Sequence, residues 1–192
     1  LGYGLRVPVT EPLTAKIAAA RGYRKSDWTD PLAQRPIPWT IDSKIESPGR
    51  NGLTLIEGTA VVPEKKALAH AQAFGYAHKT ESIPASEAAF RALLTTPSYR
   101  SELDLAFADW EGRIACFVGL WFDPVARVGI LEPVGTVPEY RRKGLAKSLI
   151  DEGTRRLEKL GAEKLFVGSD QEFYRAIGFS VISRQEVWEY RV

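Results

Sequence analysis

Residues 130–160 constrain this chain more than any other stretch, because they compress a strand, a turn and a helix into one block. Ile130-Leu131-Glu132-Pro133-Val134-Gly135-Thr136-Val137 is a short apolar run that ends at Pro138 and leads into Arg141-Arg142-Lys143-Gly144-Leu145-Ala146. Beyond the turn, Leu145, Leu149, Ile150, Leu157 and Leu160 recur at helical spacing, with Lys147, Asp151, Arg155, Glu158 and Lys159 off that face. The pattern predicts a helix beginning near Arg142 or Lys143. Cations in a first helical turn oppose the macrodipole, at a cost on the order of a few tenths of a kcal/mol each. An anion bound there removes the conflict. Gly144 lets the backbone approach a ligand with no Cβ in the way, and the free N–H groups of a helix start make a phosphate cradle. The structural alternative is an exposed basic turn on a helix packed for other reasons.

Arg141-x-x-Gly144-x-Ala146, preceded by Val134-Gly135-Thr136-Val137-Pro138, resembles the acyl-CoA-binding signature of the GNAT superfamily of N-acetyltransferases. A second, later element agrees: after the run Lys164-Leu165-Phe166-Val167 comes Tyr174-Arg175-Ala176-Ile177-Gly178-Phe179, similar to that family's Tyr four residues before Gly-Phe. The resemblance implies an α/β (α+β) fold, a mixed and mostly antiparallel sheet with a splayed central strand and flanking helices. Acetyl-CoA is the implied co-substrate.

At 192 residues the chain is long enough for one good core, or one domain and part of another. With 26 basic and 24 acidic residues, its whole-molecule field argues against nucleic-acid or membrane partners, so any anion site is local. Arg141-Arg142-Lys143 is too short a basic cluster, with no aromatic platform beside it, for nucleic acid. Cys116 lies in an apolar run and reads as a buried small hydrophobe, which fits a reducing, cytoplasmic setting. There is no apolar stretch of about 18 residues and no secretory leader pattern. His70 and His78 fit no metal-ligand spacing, so no metal is expected. A start at Leu1 and the absence of Met suggest a fragment or a processed product.

Taken in order, residues 1–49 form an N-terminal extension with its own organisation. It has a strand over Leu5 to Val9, a helix from Thr10 or Pro12 to Arg21 ended by Gly22, and a strand over Tyr23 to Trp28. This order loosely parallels Lys164 to Trp188, Gly22-Tyr23 matching Gly178-Phe179. Under the resemblance, the extension is the trailing part of a degenerate GNAT-like repeat, as in tandem members; an ordinary helical extension is the alternative. Pro31, Pro36, Pro38 and Pro48 then mark connection, placing a boundary near residue 50 and an acetyltransferase domain over 50–192. Within it, a strand is expected over Leu53 to Val62 and a helix over Glu64 to Tyr76 with Ala67, Leu68, Ala71 and Phe74 on one side. A second helix runs from Pro84 to Leu94, and antiparallel strands cover Leu103 to Ala108, Ile114 to Phe122 and Val128 to Val137. After the central helix come a strand over Glu163 to Gly168, a short helix over Gln171 to Ile177 and closing strands over Phe179 to Val192.

Acyl transfer from a thioester to an amine needs a held cofactor, a deprotonated amine and a proton for the departing thiolate. The resemblance assigns the pyrophosphate to backbone N–H groups from Arg142 through Lys143, Gly144 and Leu145 to Ala146, with charge added by Arg141, Arg142, Lys143 or Lys147. It assigns the pantetheine amides to Val134, Gly135 and Thr136, at a bulge that Pro133 and Gly135 tolerate. Tyr174 takes the acid's role, its structural alternative being a buried aromatic. Glu132 is the base, directly or through water, or equally a partly exposed salt-bridge partner. The Asn-x-x-Ala that often precedes the family's Tyr is replaced by Val167-Gly168-Ser169-Asp170. The acceptor is a primary amine of a small molecule or peptide, met by the helices and loops of residues 76–100; a homo-oligomer through the edge near Trp188 stays open. The alternative is a catalytically silent acyl-CoA-binding module.

Overall fold

The computed structural model describes residues 3–10, 12–38, 52–79 and 81–190, which form eight β-strands and five α-helices. The boundary expected near residue 50 lies outside them. Contacts divide the chain into two compact units, Pro36–Leu165 and Leu1–Arg35 with Phe166–Val192.

The larger unit holds β3 (Thr54–Glu57), α2 (Pro63–Ala73), α3 (Ser82–Leu93), β4 (Asp104–Ala108), β5 (Ile114–Asp123), β6 (Val128–Thr136) and α4 (Leu145–Lys159). Its four strands run antiparallel in the order β3-β4-β5-β6. β4 and most of β5 are buried, so they read as continuous apolar runs rather than as alternating ones. Phe117 of β5 packs with Ala69 of α2, while Leu120, an odd number of residues on, meets Gly153 of α4. A Cβ on Gly153 would come within 2.4 Å of Leu120 Cδ1, which explains a glycine in the middle of a helix. The strand expected over Leu53 to Val62 is only four residues long, because the chain turns into a single 3-10 turn at Gly58–Ala60.

The expected helical faces needed correction at their charges. On α2, Leu68 and Phe74 are exposed while Ala67 and Ala71 are buried, and Lys66 is buried with them. Lys66 can sit there because its Nζ meets Asp104 Oδ1 at 2.5 Å. On α4, Leu145, Leu149, Ile150 and Leu157 form the buried stripe, joined by Asp151, which Lys147 pairs at 2.7 Å. The helix starts at Leu145, later than expected, because Arg142 and Gly144 both take positive φ.

The smaller unit holds β1 (Tyr3–Pro8), α1 (Pro12–Ala20), β2 (Arg24–Pro36), α5 (Glu172–Ala176) and β8 (Ser180–Tyr190); β7 (Lys164–Val167) bridges the division in sequence. β8 pairs antiparallel with both β1 and β2. β2 runs through Pro31 and Pro36, which the sequence suggested were connection; its pairing shifts register between Lys25 and Thr29 and again between Leu32 and Ala33. α1 and α5 end alike. Gly22 and Gly178 have φ of 84° and 92°, and the residue after each folds back: Tyr23 N–H donates to Ala18 O and Phe179 N–H to Tyr174 O, both at 3.0 Å. Among the described residues, no helix is long and apolar enough to cross a membrane.

β5 and β6 pair regularly at Phe117–Gly135 and Val118–Val134, then at Leu120–Leu131, so Glu132 and Pro133 together face Gly119. A Cβ on Gly119 would lie 2.8 Å from Glu132 O and 2.9 Å from Pro133 Cδ. Gly119→Ala therefore forces backbone apart and is expected to destabilise by about 1–3 kcal/mol, read as a lower urea midpoint at unchanged m.

Candidate functional site

Two features of the larger unit mark a site: the bulge in β6 and the corner that leads from β6 into α4. At the bulge, Glu132 and Pro133 share a cleft with Lys66, Tyr99, Asp104 and Trp121. Trp121 Nε1 donates to the Glu132 main-chain oxygen at 3.0 Å, which fixes the carbonyl and leaves the exposed carboxylate of Glu132 with no ion-pair partner among the described residues. The polar floor is a buried relay: Asp104 takes Lys66 on Oδ1 and the Tyr99 hydroxyl on Oδ2, at 2.5 and 3.3 Å. Burial and then the Asp104 charge push the Tyr99 phenol well above its ordinary range, so it stays a proton donor.

Gly135 is not part of the bulge. It pairs regularly with Phe117 and lies beneath that ring, where a Cβ would stand 2.3 Å from Phe117 Cζ and 3.1 Å from Ala73 Cβ. Thr136 pairs with Cys116, its hydroxyl 3.2 Å from the sulfur. Cys116 is fully buried, and desolvation pushes its thiol up to about 12, as befits a packed side chain rather than a nucleophile.

The corner separates main-chain and side-chain roles. Arg141 is exposed yet engaged: its Nε donates to Thr136 O at 3.1 Å and its Nη2 to Ala73 O at 2.8 Å, tying the corner to β6 and to the end of α2. Lys143 Nζ lies 5.2 Å from the Tyr140 ring centroid, and Lys147 is paired with Asp151. Arg142 is thus the one cation of this corner with no side-chain partner among the described residues. Gly144 is the left-handed N-cap of α4 at φ 73°, with no side chain capping the helix, and the first helical bond is Ser148 N–H to Gly144 O at 3.1 Å. The N–H groups of Leu145, Ala146 and Lys147 therefore point out of the helix start unpaired by the helix itself. A diphosphate fits such a corner: amides unpaired within the helix, no Cβ at Gly144, and in Arg142 a guanidinium with no side-chain partner among the described residues.

Tyr174 lies in the smaller unit on α5. It is buried, with its ring edge-on to Phe179 at 5.8 Å and 79°, and to Phe173 at 5.1 Å and 67°. Gly178 supplies the left-handed turn that brings Phe179 back over it.

A profile of the Acetyltransferase (GNAT) family matches residues 65–179, taking in the bulge, the corner and the Tyr174 to Phe179 motif. The chain belongs to the GNAT family. Among solved structures, it is similar to a GCN5-related N-acetyltransferase from Sphaerobacter thermophilus, with a TM-score of 0.67 at 16% identity, over 98% of this chain and 59% of that one. It is also similar to a GCN5-related N-acetyltransferase from Kribbella flavida, with a TM-score of 0.57 at 15% identity, over 100% and 68% of the two chains. A third is a tandem GNAT protein from the clavulanic acid biosynthesis pathway, with a TM-score of 0.55 at 14% identity, over 98% and 63%. At those identities the likeness is one of fold, and this GNAT chain spans less than two-thirds of the first and third. No curated protein matches it in sequence.

Sequence reasoning passed over the Lys66–Asp104–Tyr99 relay, and it weighed His70 only as a metal ligand. His70 Nδ1 is 2.6 Å from the Tyr76 hydroxyl, and burial followed by the Lys66 charge holds its pKa below the ordinary value. Among the described residues there is no cluster of three or more metal-ligating side chains. Truncating Lys66 to Met should strand the buried Asp104 charge and destabilise by about 3–5 kcal/mol, whereas Lys66→Met with Asp104→Leu should regain most of that. Chemical denaturation of the three proteins checks it.

Proposed function

We propose that this GNAT protein is an N-acyltransferase that moves an acetyl group from acetyl-CoA to a primary amine of a small molecule or peptide. The observation that carries the reading is the corner after β6, where Gly144 caps α4 in a left-handed conformation and the first amides of the helix are unpaired within it, next to Arg142, which has no side-chain partner among the described residues. These amides, with Gly144, would hold the pyrophosphate, Arg142 adding charge. Arg141 and Lys143 would add charge as well, Arg141 while also tying the corner to Ala73 and Thr136. Val134, Gly135 and Thr136 would offer main-chain groups to the pantetheine amides.

When bound, acetyl-CoA supplies an activated acyl thioester. Glu132, at the bulge and with no ion-pair partner among the described residues, would take the proton that the amine nitrogen gives up as its bond to the acyl carbon forms. Tyr174, assigned by its place before Gly178-Phe179, gives a proton to the departing sulfur. The exchange balances: one N–H proton goes to Glu132, one O–H proton leaves Tyr174, and solvent restores both. Residues 1–49 we read as the trailing part of a degenerate GNAT-like repeat, with 50–192 as the acetyltransferase domain.

Calorimetric titration with CoA and thiol release over an amine panel test the two halves separately. Gly144→Val should weaken CoA binding at least tenfold at unchanged fold, because its Cβ enters the cradle and its φ is unfavourable. Tyr174→Phe should lower kcat at least tenfold with CoA affinity unchanged, and Glu132→Gln should remove the acidic limb of the kcat/KM profile. Tight CoA binding with no turnover of any amine would sink the transferase reading; unaltered CoA binding in Gly144→Val would sink the cradle.

A further inference from the structure

The most deeply buried cation of the smaller unit belongs to neither family motif. Arg35, near the end of β2, is 1% exposed, beside the buried Ala33 two residues earlier on the same strand face. Its Nη1 donates to the Ile177 carbonyl at 3.1 Å, and its guanidinium carbon lies 5.1 Å from the centroid of Phe179. Those residues flank Gly178, and both fold back onto Tyr174: the N–H groups of Ile177 and Phe179 donate to the Tyr174 main-chain oxygen at 3.2 and 3.0 Å. The Phe179 ring in turn meets the Tyr174 ring at near-right angles.

An apolar side chain would fill this space without the cost of burying a charge. What a guanidinium adds is direction. It is planar and always charged, and it holds a carbonyl with one edge while its face lies on an aromatic ring. Here one group fixes both the main chain after α5 and the ring against which Tyr174 leans. We propose that Arg35 is a positioning residue for Tyr174, acting through Ile177 and Phe179 without touching substrate. The inference rests on Tyr174 serving as the acid, and it makes Arg35 of β2 a contributor to the catalytic apparatus.

The test is a double-mutant cycle on the full chain with Arg35→Met, Tyr174→Phe and the pair, read together with CoA calorimetry. Arg35→Met should lower kcat at least tenfold and leave CoA affinity within twofold. In the Tyr174→Phe background it should cost nothing further, and Arg35→Lys should recover part of the loss. Losses that multiply in the double variant, or a lower melting temperature at unchanged kcat, overturn the proposal. If Arg35→Met does not fold, Arg35→Gln and Arg35→Lys run the same cycle. A second readout needs no turnover: NMR of ring-labelled tyrosine, with Tyr174 assigned from Tyr174→Phe. Its ring signals should shift and broaden in the Arg35 variants, and unmoved signals would overturn the proposal. Failure of CoA binding in the wild type would instead strike the transferase reading and leave the NMR result to judge Arg35.

Discussion

The bulge in β6, where two residues face one, organises the larger unit. Up to Val118–Val134 the β5–β6 ladder is regular, and beyond Leu120–Leu131 it is regular again. Between them the extra residue brings Glu132 to the edge of a cleft and turns its carbonyl toward Trp121. The cost of the irregularity is met locally: Gly119 yields the space that the Glu132 carbonyl and the Pro133 ring occupy, and proline there has no ladder N–H to lose. The corner after β6 depends on the same strand, because Arg141 reaches back to Thr136, on the regular side of the bulge.

Charge in that corner is distributed so that the main chain, more than the side chains, is left open. Of Arg141, Arg142, Lys143 and Lys147, three are engaged: with carbonyls, with an aromatic face and with Asp151. A chain of nearly balanced charge cannot attract a polyanion by its overall field, so at the proposed diphosphate site selectivity would fall to geometry. Aligned amides at a helix start provide it, because they are fixed by the fold and need no reorganisation when the anion arrives.

The elements that were legible in the sequence are those in which pattern and burial coincide. α4 shows its stripe because Leu145, Leu149, Ile150 and Leu157 face a sheet, and β4 and β5 show as apolar runs because they are covered on both faces. What escaped were buried charges. Lys66, Asp151 and Arg35 look like surface residues to any reading that equates charge with solvent, and each is buried only because the fold brings it a partner far away in sequence or one helical turn away. Arg35 was doubly hidden, since Pro31 and Pro36 argue for connection while the register shifts of β2 let a strand pass through them. The bulge was legible only through the resemblance, and Gly135 was misassigned to it. Its actual reason, the Phe117 ring above it, is a long-range packing fact that no local pattern encodes.

The two similar helix ends of the smaller unit carry the comparison one step further. Tyr23 bonds back to Ala18 and Gly22 to Ala19, as Phe179 bonds to Tyr174 and Gly178 to Arg175. In this alignment the position of Tyr174 is held by Ala18, which is buried and has no titratable group. The backbone device, a left-handed glycine that folds an aromatic back over a helix end, is therefore present also where the helix carries no titratable group at that position. Its first service is structural, closing a strand–helix–strand unit. Under the repeat reading, the acid's role proposed for Tyr174 would be an addition to one copy, at the turn that the buried guanidinium of Arg35 on β2 meets.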